Sequence, residues 1–199
     1  MADLDPFFFT INTWSFTKHR TWTRCPRQYY YEYIAQYVKS GQVVSPEKIR
    51  WLKNFTSKYV VQGQLIHDII DQQIQLACDN KPMSYFEAES VFAKRVANYR
   101  AIGGETFTES HNGEKIADSF FTYILENGRT CLATFFAKWP EYAKRECLRH
   151  EQFDHFTIGD AGVTVKVDFA AKMPDGTIVL SDWKTGKDDD DYESELQMA

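Results

Sequence analysis

The sequence predicts an α/β chain: a mixed sheet of three to four strands flanked by helices, with a helical N-terminal arm and a helical insertion ahead of the strands that carry the chemistry. Three observations lead there. Val163 to Lys187 reads VTVKVDFAAKMPDGTIVLSDWKTGK, two strand-like runs joined by the turn Pro174-Asp175-Gly176. Upstream, Leu65, Ile66, Ile69, Ile70, Ile74 and Ala77 recur at helical spacing as a wide apolar stripe, which predicts a core-packed helix opening near Gly63. Helical periodicity also runs over 84–99 and 115–148, where Phe120, Tyr123, Ile124, Leu132, Phe135, Phe136 and Trp139 supply core candidates, while 103–113, with Gly at both ends, reads as a loop.

The hairpin layout suggests a metal site. Side chains two apart on a strand share a face, so Asp182 and Lys184 are expected to project side by side, with Asp168 reaching the same rim from the neighbouring strand. Carboxylates are hard oxygen donors for Mg²⁺ or Mn²⁺, and a lysine beside them can orient or deprotonate a water or stabilise charge on a phosphate. An ordinary surface hairpin with unrelated acids and lysines accounts for the same spacing. Strand polarity bears on the choice. Val163, Val165, Val167 and Phe169 form one face against Thr164, Lys166 and Asp168, and Ile178 and Leu180 share a face with Asp182 and Lys184. Charge at the end of a buried strand is costly unless a metal, a partner charge or solvent compensates it.

In the upstream helix His67 and Asp71 lie four apart on one side. One reading is a histidine paired with a carboxylate at the edge of the stripe. The other is an imidazole metal ligand whose tautomer the neighbouring carboxylate fixes. His111, His150 and His155 have no partner at ligand spacing and read as structural or surface residues.

These blocks together resemble the PD-(D/E)XK nuclease superfamily, and within it the RecB-like branch that includes CRISPR-associated RecB-like exonucleases. The matching residues, in the family's order, are Ser15 with Cys25-Pro26-Arg27-Gln28-Tyr29-Tyr30-Tyr31-Glu32-Tyr33-Ile34, Gly63 with His67, Glu151, Val167-Asp168, Asp182-Trp183-Lys184-Thr185-Gly186-Lys187, and Gln197. The resemblance implies a restriction-endonuclease-like core. It implies that His67, Asp168 and Asp182 bind Mg²⁺ or Mn²⁺ with the Trp183 backbone carbonyl as a further ligand, that Lys184 is the catalytic lysine, and that Glu151 supports the site from the strand before that of Asp168. Gln197 matches the start of a Gln-x-x-x-Tyr helix motif associated with DNA contact. The chain stops at Ala199, ahead of that tyrosine, so a core truncated there is expected. Relatives often carry a Gly two or three residues before the Asp168 position, where this chain has Val165-Lys166-Val167. Some hold an iron–sulfur cluster with one N-terminal cysteine and three beyond the nuclease core. Cys25 matches the first, nothing after Ala199 supplies the others, and Cys25 is expected to pack beside the tyrosines instead.

The implied activity is divalent-metal-dependent hydrolysis of DNA phosphodiester bonds, exonuclease-like, in repair, phage or defence processes, with other subunits of such a complex as possible partners. The alternative is a non-cleaving nucleic-acid-binding or scaffold module. The set His67, Asp168, Asp182 and Lys184 favours cleavage, because binding alone has no need of it.

At 199 residues, 43% hydrophobic and 26% charged, the chain can bury one sizeable core, so a single domain over 1–199 is expected. Within it lie a basic aromatic arm over 1–60, a mainly helical part over 61–148, and a catalytic β-meander with the start of a following helix over 149–199. No apolar run approaches the roughly 20 residues of a membrane helix, and Phe7-Phe8-Phe9 after two aspartates is no signal peptide. Four cysteines without C-x-x-C spacing suit a reducing compartment, so a cytoplasmic location is expected. The net charge of −5 hides an asymmetry. From Thr17 to Lys58 nine Lys or Arg face two Glu, and Trp14, Trp22, Trp51 and the tyrosines intersperse them. Lys18, Arg20, Arg24 and Arg27 are therefore candidates to line a DNA path where bases stack and phosphates are neutralised. A helix burying its aromatics beneath a solvated basic face is the equal alternative. The run Asp188 to Asp191 with Glu193 and Glu195 reads as a solvated loop.

Overall fold

A computed structural model of the chain describes residues 13–38, 41, 43–102 and 106–186. Lys187, the acidic run after it and Gln197 lie outside the described residues. In chain order the elements are β1 (Thr13–Trp14), α1 (Phe16–Arg24), α2 (Pro26–Tyr29), a π-helical turn (Tyr30–Ile34), a 3-10 turn (Ala35–Tyr37), α3 (Pro46–Lys53), α4 (Lys58–Cys78), α5 (Tyr85–Ile102), α6 (Thr108–His111), α7 (Asp118–Tyr142), β2 (Glu146–Ile158), β3 (Ala161–Lys172) and β4 (Ile178–Ser181). The expected mixed sheet with flanking helices is present. Among the described residues it has four strands in the order β1-β3-β2, with β4 also on β3. β3 pairs parallel with β1 through Thr13–Gly162 and Trp14–Val163, and antiparallel with β4 from Phe169–Ser181 to Lys172–Ile178. The β3–β4 turn closes through Gly176 N–H to Met173 O (2.9 Å), with Gly176 at φ +89, a conformation that favours glycine.

The chain divides into two compact units. One is built from the described residues within Thr56–Gln152 and Val167–Asp188. Ser57 caps α4, its hydroxyl accepting from Val60 N–H (3.3 Å), so the helix starts at Lys58 rather than near Gly63. Ser84 and Glu87 satisfy each other's backbone N–H groups at the start of α5, in the reciprocal arrangement of a capping box. Ile66, Ile69 and Ile74 of α4, Phe92 of α5, and Ile124 and Leu132 of α7 are wholly buried, each contributing about 1.5–3 kcal/mol. Gly128 lets α7 approach α5, since a Cβ there would lie 2.0 Å from the Phe92 ring.

Three sequence expectations change here. The helix predicted over 115–148 ends at Tyr142, just after Pro140, and Glu146–Leu148 enter β2. The stretch read as a loop delivers Phe107, fully buried, because Thr56 N–H donates to Thr106 O (3.0 Å) and Thr108 N–H to Thr56 O (2.8 Å). Tyr123, a core candidate, is exposed, its ring one of three around the Lys58 ammonium.

The other unit comprises the described residues within Met1–Phe55 and Phe153–Lys166. Ser15 caps α1 (Lys18 N–H to Oγ, 3.2 Å) and the Cys25 sulfur caps α2 (Gln28 N–H to Sγ, 3.4 Å), with Pro26 at the first helical position. The expectation for Cys25 is thereby refined: its sulfur closes a helix start. Tyr29 is buried among Trp14, Trp22 and Tyr33 with ring centroids 5.0–6.1 Å away. Lys18 is turned inward, its ammonium donating to Thr13 O (2.7 Å) and Thr13 Oγ1 (3.1 Å) and lying over Tyr33, and burial lowers its pKa. Lys53 and Arg50 donate to the Glu32 and Gln36 carbonyls. Arg20, Arg24 and Arg27 are exposed. No helix among the described residues is long and apolar enough to cross a membrane.

Candidate active site

Every described residue of the candidate catalytic set falls in the unit that contains α4. Along α4, Gly63, His67 and Asp71 recur every four residues and form one stripe. A Cβ at Gly63 would stand 3.2 Å from Thr185 Oγ1, so glycine lets the segment after β4 lie close to the helix. One turn on, His67 places Nδ1 3.0 Å from Glu151 Oε1 and 3.7 Å from Asp168 Oδ2, and Nε2 3.0 Å from the Trp183 carbonyl. His67 and Asp71 do not pair with each other. Asp71 takes His150 Nδ1 as its partner.

Glu151 has φ +46, in the left-handed region that a glutamate rarely enters. Successive side chains of a regular strand face opposite ways, yet His150 and Glu151 both turn to α4, one meeting Asp71 and the other His67. The local reversal at Glu151 makes that possible. His150 offered no partner at ligand spacing because its partner is 79 residues away, and only its place beside Glu151 could have drawn attention to it.

Asp168 sits where β3 becomes buried on both faces, at 8% exposure. Its Oδ2 accepts the Trp183 N–H (2.8 Å), so the Trp183 backbone is gripped by Asp168 at its N–H and faces His67 with its carbonyl. The Trp183 ring anchors that residue against Phe135, Tyr142 and Phe169 (5.2–6.0 Å between centroids). Burial raises the Asp168 pKa; the Trp183 N–H and then His67 oppose it, while the Asp182 and Glu151 charges push it further up.

β4 ends at Ser181, so Asp182 and Lys184 stand just beyond it, still alternating outward about the inward Trp183. Their carboxylate and ammonium form an ion pair. Among the described residues, the donor atoms of His67, Glu151 and Asp168 all lie within 4.8 Å of one another, and Asp182 is outside that group. The structure therefore brings His67, Glu151, Asp168 and the Trp183 carbonyl together and sets Asp182 and Lys184 beside them. Lys18, Arg20, Arg24 and Arg27 belong to the other unit.

The donor chemistry fits a hard divalent cation. Two carboxylates, an imidazole and a carbonyl converge, and a bound cation would offset both the burial that chiefly raises Asp168 and the smaller push from the Asp182 and Glu151 charges. Beside them is a cavity of about 300 Å³ with an apolar lining that includes Ile66, Ile70, Phe135 and Trp183, and with Lys138 and Lys184 among its polar groups.

One family model matches the chain. That model, described as the PD-(D/E)XK nuclease superfamily, matches residues 13–199. Comparison with curated proteins and with solved structures returned no match. With the match running over nearly the whole chain, the chain belongs to the PD-(D/E)XK nuclease superfamily.

Proposed function

We propose that the chain is a RecB-like, divalent-metal-dependent deoxyribonuclease, exonuclease-like in action, serving DNA repair, phage or defence processes and forming one nuclease domain over 1–199. The observation that carries this reading is the convergence of His67, Glu151 and Asp168 within 4.8 Å, with the Trp183 carbonyl 3.0 Å from the His67 ring. His67, Asp168, Asp182 and that carbonyl would hold Mg²⁺ or Mn²⁺, which when bound supplies positive charge to a phosphate oxygen and makes a bound water more acidic.

The remaining roles belong to the chain itself. Glu151 orients the His67 ring through Nδ1. The Trp183 ring and the Asp168 carboxylate fix the residue that carries the carbonyl ligand. The Lys184 ammonium, two-thirds exposed and held by Asp182, stabilises phosphate charge or holds the attacking water. The cavity suits a nucleoside next to the cleaved bond, with Lys138 and Lys184 for its phosphates. Arg20, Arg24 and Arg27 supply phosphate contacts elsewhere on the chain, and Gln197 supplies one after the catalytic strands.

Incubation of the purified chain with end-labelled single- and double-stranded DNA, with Mg²⁺, Mn²⁺ or EDTA, tests the proposal. Cleavage that requires the ion and releases mononucleotides is expected. Binding without cleavage under every ion would favour a scaffold module instead.

A further inference from the structure

Two histidine–carboxylate pairs join α4 to β2, and they are crossed. At the first the helix contributes the histidine and the strand the acid, His67 with Glu151. One turn along, the helix contributes the acid and the strand the histidine, Asp71 with His150. The strand residues are consecutive, and consecutive side chains of a pleated strand point to opposite faces. Both reach α4 only because Glu151 adopts φ +46. An L-residue holds that conformation when its surroundings over-determine it. Here the constraint has two ends: the Asp71–His150 hydrogen bond on one side of the bend and the His67–Glu151 contact on the other.

We propose that Asp71 and His150 are a positioning pair, which holds the left-handed bend at Glu151 so that its carboxylate meets His67 and completes the ion site. Neither belongs to the donors clustered within 4.8 Å, so the pair acts through Glu151. The same pair ties the β2 bend to the α4 stripe that carries Gly63 and His67. A change at Asp71 is thus transmitted to the site through one peptide. This inference rests on the proposed function, in which His67 and Asp168 hold the ion and Glu151 orients the His67 ring.

The test is calorimetric Mn²⁺ titration of the parent, Asp71→Ala, Asp71→Asn, Glu151→Gln and the Asp71→Ala/Glu151→Gln double variant, each scaled to the folded fraction seen in thermal unfolding. Asp71→Ala should weaken Mn²⁺ binding by about tenfold, the lower end of what outer partners of metal ligands contribute. Asp71→Asn keeps an oxygen acceptor for His150 and should retain most of the affinity, which also guards against misfolding of the alanine variant. In the Glu151→Gln background, Asp71→Ala should cost nothing further. Losses that multiply, or parental affinity in Asp71→Ala, would overturn the inference. Backbone and Cβ chemical shifts of residue 151 give a readout independent of the ion: the left-handed signature should weaken in Asp71→Ala. A parent that binds no Mn²⁺ would defeat the nuclease reading, whereas an unaltered residue 151 signature in Asp71→Ala would defeat the positioning role alone.

Discussion

Glutamate at φ +46 within β2 makes a prediction with an unusual sign. In an ordinary strand, glycine is less stable than alanine by about 0.5–1 kcal/mol, because it loses more conformational freedom on folding. A left-handed backbone costs an L-residue about 1–2 kcal/mol, and glycine escapes that cost. Glu151→Gly and Glu151→Ala both delete the carboxylate and its contact with His67, so their difference isolates the backbone. Subtracting the midpoint of the entropic term from that of the strain term leaves Glu151→Gly more stable than Glu151→Ala by about 0.75 kcal/mol, against the usual order. Urea unfolding in EDTA, with both variants compared at equal slope, measures this. Mn²⁺ affinity should fall in both alike, since neither offers an acid to His67. An alanine variant as stable as the glycine variant would refute the left-handed assignment at 151, and with it the reason that His150 and Glu151 face one helix.

Burial raises the Asp168 carboxyl in the ion-free chain, so the folded state takes up a proton more readily than the unfolded state. The resulting penalty is absent at acid pH, grows as pH rises through the ordinary carboxylate range, and is complete above the raised folded value. Asp168→Asn should therefore melt above its parent at about pH 8 in EDTA, lose that advantage near about pH 4, and gain nothing from Mn²⁺; a parent equally stable at the higher pH would contradict it. In the N-terminal unit, Lys18→Met should cost about 1–3 kcal/mol of stability by stripping Thr13 of its donor while leaving the salt slope of DNA binding unchanged. Neutralising the exposed Arg24 and Arg27 together should flatten that slope by about 1.8 on duplex DNA, as read from binding isotherms across salt concentration, if both meet phosphates. An unchanged slope in the double variant would return these arginines to a solvated surface.

Features set by local chemistry were legible in the sequence. The Pro174-Asp175-Gly176 turn and the α4 stripe follow from residues near in the chain and lie where expected, whereas Asp182 and Lys184, read onto the second strand, alternate about Trp183 just beyond its end at Ser181. What escaped depends on distant partners. Lys18, read as a candidate to line a DNA path, lies over the Tyr33 ring with its ammonium on nearby Thr13, and Phe107 looked like part of a loop until Thr56 bridged to it. The pairing of Asp71 was misjudged for a related reason. Helical spacing put it beside His67, but both side chains turn to β2, and the bend that supplies two partners there comes from a glutamate whose backbone no propensity would assign to φ +46. Val165, Ile178 and Leu180, apolar by alternation, lie exposed, so polarity alone did not identify the buried faces of β3 and β4.

Whether Lys184 serves the chemistry while its neighbours serve the ion is read most directly by single-turnover cleavage of end-labelled DNA across a range of Mn²⁺ concentrations, for the parent, Asp182→Ala and Lys184→Ala. Asp182→Ala should shift the half-saturating Mn²⁺ concentration upward and slow cleavage. Lys184→Ala should saturate at parental or lower Mn²⁺, since a competing cation is gone, yet cleave about 10²–10³-fold more slowly. Cleavage by Lys184→Ala at the parental rate would contradict the assignment.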